Sequence, residues 1–177
     1  MDVLSYLLGK QSSGGGGGGS SLDWSAIGYS EEPETGIKDD YNYAKQIYDN
    51  WDSSQTNLSQ KFYNDKKLVI MPLVDTSKAE SKAQMFTSCE RLTTVPILDM
   101  SLTVNDSRKM GMFNNCNYLT DESLDNILQM CISMPLFTTA TKTLSTLGLS
   151  SSYYPATRIE ALPHYQDFID AGWTIGY

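Results

Sequence analysis

Three cysteines and a single histidine are the side chains best suited to covalent or metal chemistry, and their spacing argues against both. Cys89, Cys116 and Cys131 form no Cys-x-x-Cys pair, whereas a structural zinc site takes four ligands in tight pairs, and His164 is the only histidine. An odd number of cysteines favours buried thiols over a disulfide framework. His164 follows Pro163, a helix-start signal, and no serine or cysteine motif lies near it in sequence for which it could act as base. It is expected on the surface at a helix N-terminus. The carboxylate pairs Asp39–Asp40 and Asp121–Glu122 could in principle do acid–base work, but they fall where a helix first turn favours negative charge. Tyr153, Tyr154 and Tyr165 leave two readings open, an exposed aromatic platform for sugar or packing in a core. The expectation is a non-enzymatic protein with no catalytic, cofactor-binding or metal-binding residues.

These residues are spaced by a segment that occurs almost twice. Leu68, Met71, Pro72, Leu73, Asp75 and Ser77 recur 24 residues later as Leu92, Val95, Pro96, Ile97, Asp99 and Ser101. Met85, Phe86 and Cys89 recur as Met112, Phe113 and Cys116, now 27 residues on, so three residues have been inserted in the polar stretch 103–109. A period in the twenties marks units that cannot bury their apolar faces alone and must stack on neighbours. Phe62 precedes Leu68 as Phe86 precedes Leu92, which adds partial units at the flanks. Within a unit, the L-x-x-L-x-L spacing predicts a short parallel strand. Met-Phe followed by Cys predicts a return turn, with Phe between layers and Cys as a small buried hydrophobe. The expected repeat core is Leu68, Met71, Leu73, Phe86, Cys89, Leu92, Val95, Ile97, Phe113 and Cys116.

Residues 92–101, Leu-Thr-Thr-Val-Pro-Ile-Leu-Asp-Met-Ser, and 112–116, Met-Phe-Asn-Asn-Cys, resemble the BspA-type leucine-rich repeats of bacterial surface proteins and of phages that infect gut bacteria. The likeness spans about residues 62–131 and departs where Ala79 and Lys82 replace a Val and a Met midway through the unit. It implies an α/β fold: a short leucine-rich-repeat solenoid of two full and two partial units, capped by helices.

The flanks divide the chain further. Residues 1–10 read as a short helix with Val3, Leu4, Leu7 and Leu8 as its apolar stripe. Residues 11–21 form a linker with six consecutive glycines, Gly14 to Gly19, spanning roughly 18 Å for about 11 residues. A ten-residue helix is marginal alone in water, so this stripe is expected to anchor on a partner surface; an engineered fusion linker is the alternative. Residues 22–61 form a helical N-terminal cap, with Ile37, Tyr41, Ala44, Ile47, Tyr48 and Trp51 on one helical face, or alternatively a self-association helix. Residues 62–131 are the repeats, and 132–177 a helical C-terminal cap. Thr120 is expected to cap a helix through Leu124, Ile127, Leu128 and Cys131, with Gly148 and Gly172 ending later helical pieces.

A length of 177 residues allows one domain burying about 70% of its unfolded surface. A net charge of −8 disfavours nucleic acid, and no apolar run is long enough to cross a membrane. Neither a signal peptide nor a myristoylation signal is expected at the N-terminus, where Asp2 follows Met1. The leader, with its Leu-Gly-Lys end and glycine run, resembles the amino termini of minor virion proteins in tailed phages. That resemblance implies a virion protein, a head or tail fibre, decoration or adhesion component, made in the cytoplasm of a bacterial host. Its expected partners are other virion proteins through residues 1–21 and a host-surface glycan or protein, in a multi-copy or homo-oligomeric assembly. The alternative is a bacterial surface or secreted leucine-rich-repeat adhesion module.

Overall fold

The computed structural model describes residues 22–32, 37–135 and 140–177. The predicted leader helix and linker, Val3, Leu4, Leu7 and Leu8 included, lie outside these. The order is a 3-10 turn at Trp24–Ile27, helix α1 (Lys38–Asp49), a run of repeated turns, a 3-10 turn at Asp106–Arg108, α2 (Asp121–Ser133), a 3-10 turn at Ser145–Leu147, and short α3 (Ala156–Glu160) and α4 (Tyr165–Asp170).

The expected α/β leucine-rich-repeat solenoid is not formed. Among the described residues there is no strand and no sheet, only the isolated parallel bridges Asn57–Ser81, Ile70–Thr94 and Thr143–Thr174. The cause is visible in the repeat itself. Pro72 and Pro96 sit inside the predicted strand and have no N–H to give a ladder. The N–H of Leu73 donates instead to Ile27 O (3.0 Å) and that of Val95 to Ser123 Oγ (2.9 Å). Register shifts accordingly: Val74, Thr76, Leu98 and Met100 turn inward, and Leu73 and Ile97, expected in the core, are each 45% exposed. Leu68, Met71, Phe86, Cys89, Leu92, Val95, Phe113 and Cys116 are buried.

Cohesion between units comes from the turn side. N–H groups of Leu58, Gln60, Phe62 and Asn64 donate to the carbonyls of Ser81, Ala83, Met85 and Thr87 at 2.8–3.0 Å. One unit on, Lys82, Gln84, Phe86 and Ser88 donate to Arg108, Met110, Met112 and Asn114 in the same alternation. Intervening N–H groups close turns within their own unit, as Lys61 does to Leu58 O and Tyr63 to Gln60 O. Along the axis the rings of Trp51, Phe62, Phe86 and Phe113 stack with centroids 6.4, 5.7 and 5.5 Å apart. Cys89 Sγ donates to Phe62 O and Cys116 Sγ to Phe86 O, both at 3.0 Å, so the repeated cysteine serves each layer alike.

Both ends are closed by residues the sequence flags only in part. α1 lays Tyr41 and Ala44 against Trp24, Ile27, Val69 and Ile70 as a second apolar cluster, with Ile47 and Trp51 reaching the main one. Ile37 caps the helix in an extended conformation and therefore leaves the predicted stripe, lying 60% exposed, and Tyr48 is also exposed. Gly28, at φ +91°, meets the Leu73 side chain so closely that a Cβ there would sit 2.5 Å from Leu73 Cβ. At the other end Thr120 Oγ1 caps α2 by accepting from Ser123 N–H (3.2 Å). Ser123 Oγ donates to Thr93 O (2.8 Å) and accepts from Val95 N–H, and Asn126 Nδ2 donates to Val95 O (2.9 Å). Two helix side chains thus take the place of a further unit's backbone, satisfying groups that would be costly to bury unpaired. Gly148 and Gly172 take left-handed conformations after the helical pieces they follow. One apolar cluster runs from Leu58 to Trp173.

Candidate functional site

The cysteines are buried and free of one another. Burial pushes the Cys89 thiol up to about 12 and those of Cys116 and Cys131 up as well, so none is a ready thiolate. Among the described residues no group of three or more potential ligands could hold a metal. The three tyrosines weighed as a platform are separated by burial. Tyr153 is exposed, whereas Tyr154 is buried, with its hydroxyl accepting from Leu119 N–H (3.0 Å) and donating to Cys116 O; Tyr165 packs half-buried beside Phe168.

His164 stands at the N-terminus of α4, and Asp125 of α2 binds it twice. Asp125 Oδ1 accepts from the backbone N–H (2.9 Å), and Oδ2 lies 2.7 Å from Nδ1. The same carboxylate accepts from Gln129 Nε2 (3.2 Å). A cleft of about 470 Å³ lined by Gln129, Ile132, His164, Asp167 and Asp170 lies over this pair. Two of Asp125's hydrogen bonds join α2 to His164 at the start of α4 and the third, from Gln129, steadies the carboxylate within α2, which is a docking role.

Two lysines are buried at equivalent positions, a feature the sequence signals only through the polar Lys82 at an apolar place in the repeat. Lys82 is wholly buried and its Nζ donates to Ala79 O (2.8 Å); desolvation pushes its pKa down to about 8 against a smaller opposing pull from Asp99. Lys109, just after the three-residue insertion, binds Asp106 Oδ1 (2.6 Å) and Thr141 O (2.8 Å), with Nζ 5.5 Å from the Trp173 ring centre. Lys109 and Asp106 therefore tie the lengthened stretch 103–109 to residue Thr141.

A second cleft, of about 400 Å³, lies where α1 meets the repeats, and sequence reasoning missed it. α1 contributes Asp39, Asp40, Asn42, Tyr43 and Gln46, on one side because residues three and four apart share a helix face. The opposite wall is Lys67 and Arg91, each immediately before its unit's leucine, so the 24-residue period sets two cations one layer apart. Asp40 is only 7% exposed, and the Arg91 guanidinium lies 3.6 Å from its Oδ1, too long for a hydrogen bond. Desolvation raises its pKa, more than Arg91 lowers it. Tyr43 is fixed at the cleft by a 2.5 Å hydrogen bond from its hydroxyl to Asp65 Oδ2. The signal in the sequence is the cation before each repeat leucine; what it lacks is any hint that α1 packs against it.

No known protein family, curated protein or solved structure matches this chain.

Proposed function

We propose that this chain is a non-enzymatic component of a phage virion, attached through residues 1–21 and displaying its folded body for contacts with other virion proteins or a host surface. The observation that carries the reading is how the reactive side chains are spent. Cys89, Cys116, Lys82 and Lys109 hold backbone carbonyls, and the Asp125 carboxylate holds the α4 N-terminus. Chemistry needs groups free to reach a substrate; here they rigidify a stack. The surface also presents apolar and aromatic side chains, with Tyr63, Leu73, Ile97 and Tyr118 exposed. Such side chains are the kind that interfaces bury. The phage setting comes from the leader, with its apolar stripe before a glycine run. Many copies fixed on one particle would raise weak single contacts to useful attachment, as long as the linker reaches.

The test is deletion of residues 1–21. Among the described residues the buried side chains of both apolar clusters lie between Trp24 and Trp173, and the truncated chain is expected to remain folded by circular dichroism while disappearing from purified particles. Normal incorporation of the truncated chain would refute the anchor.

A further inference from the structure

We propose that the cleft between α1 and the repeat edge binds a neutral polyhydroxylated ligand, one sugar unit of a surface glycan. This goes beyond the display reading, supplying what a displayed body would hold, and rests on it only for the setting.

The argument begins with Asp40. A carboxylate this buried ordinarily takes several hydrogen bonds, because its desolvation is costly. Among the described residues none donates to the Asp40 carboxylate, and the Arg91 guanidinium stands 3.6 Å away. Asp40 lines the cleft. A hydroxyl placed between the two can donate to Asp40 and accept from Arg91, satisfying both at normal distances.

Charge then selects the ligand class. The cleft holds two carboxylates, Asp39 and Asp40, and two cations, Lys67 and Arg91. A site for an anion would carry an excess of cations, and a metal site more carboxylates. Balanced charge with the amides of Asn42 and Gln46 offers donors and acceptors side by side. Vicinal hydroxyls of a pyranose, each both donor and acceptor, match that alternation without leaving an ion uncompensated. The immobilised Tyr43 ring gives the apolar faces of a sugar a fixed wall. A volume of about 400 Å³ lies within the range of small-ligand sites.

The test is a titration of the full-length chain, labelled with nitrogen-15, with glucose, galactose, mannose, rhamnose and N-acetylglucosamine, followed by amide shifts. At least one sugar is expected to shift amides of Asp40, Asn42, Gln46 and Arg91 with a Kd in the range of about 1 mM, a weak single contact. Amides around His164 are expected to stay put. Asp40→Asn keeps the shape of the side chain and is expected to weaken the titration by about tenfold or more, since a hydrogen bond to a charged group is lost. Gln46→Ala, on the exposed side of α1, is expected to weaken it several-fold without touching the core. Silence toward every sugar, shifts that survive Asp40→Asn unchanged, or the same amides responding to inorganic phosphate or calcium in place of sugars would each overturn the proposal. None of these outcomes bears on whether residues 1–21 are needed for incorporation.

Discussion

Replacing Lys82 with methionine is expected to stabilise the protein at neutral pH and to do so less as the pH rises. Lys82 is wholly buried, with a single hydrogen bond to Ala79 O, and burial pulls its pKa from 10.5 to about 8. That gap corresponds to roughly 3 kcal/mol by which the folded state disfavours the ammonium at pH 7, at about 1.36 kcal/mol per tenfold change in proton affinity. Methionine fills nearly the same volume and removes this penalty, but leaves Ala79 O without its donor, at a cost of about 1–2 kcal/mol. The net gain at pH 7 is about 1–2 kcal/mol, read as a rise of roughly 2–4 °C in Tm per kcal/mol for a chain of this size. The sign of the pH dependence follows from proton counts. Between about 8 and 10.5 the unfolded chain holds the Lys82 proton and the folded chain does not, so the penalty fades and wild-type stability gains on the variant. Three thiols with raised pKa values push the other way above their ordinary 9, since the folded chain keeps protons that the unfolded chain loses. They are common to both proteins, so the difference between wild type and Lys82→Met isolates the lysine. Urea denaturation at pH 7 and pH 10 is expected to show that difference moving by roughly 2 kcal/mol toward wild type. A variant less stable than wild type at pH 7, or a difference that does not change with pH, would refute the reasoning.

Phe86→Ala removes one of the two inner rings of the stacked row and should cost about 3–5 kcal/mol in urea denaturation; a loss below about 1 kcal/mol would mean that the rings do not hold the layers together. Ser123→Ala removes one of the donors to Thr93 O, which keeps the N–H of Thr120, and takes from Val95 N–H its acceptor, and is expected to destabilise by about 1–3 kcal/mol. Ser123→Thr, which keeps the hydroxyl, should recover most of that loss if the bonds and not the volume matter.

How much of this was legible depends on the range of the interaction. The capping of α2 by Thr120 and the left-handed glycines after later helical pieces are local signals, carried by a few adjacent residues. The placing of Phe62, Phe86 and Phe113 in one row follows from the repeat period, since equal spacing in sequence puts like side chains at like places in successive layers. The strand does not form because L-x-x-L-x-L is a pattern of side chains, whereas Pro72 and Pro96 decide which backbone N–H groups exist. Leu73 and Ile97 show the consequence, apolar by type and exposed by register. The cleft was illegible for another reason. Lys67 and Arg91 are brought to α1 only by packing between segments over twenty residues apart in sequence, and no local pattern encodes that approach.

The absence of a sheet among the described residues also explains why the units must cohere as a set. In a strand, extended backbone is intrinsically comfortable for most residues; here Gln60, Asn64, Gln84, Ser88 and Asn115 all stand at positive φ, between 55° and 63°. Each such placement of a non-glycine residue costs on the order of 1 kcal/mol and persists only where surrounding contacts over-determine it. The contacts are specific: Gln60, Asn64, Gln84 and Ser88 each donate their N–H to the next layer. Remove the neighbour and the turn loses the bonds that compensate its conformation. A lone unit would therefore relax, whereas a flanked one is held, and the same interlayer bonds that replace a sheet make the closed ends at α1 and α2 a condition of the fold.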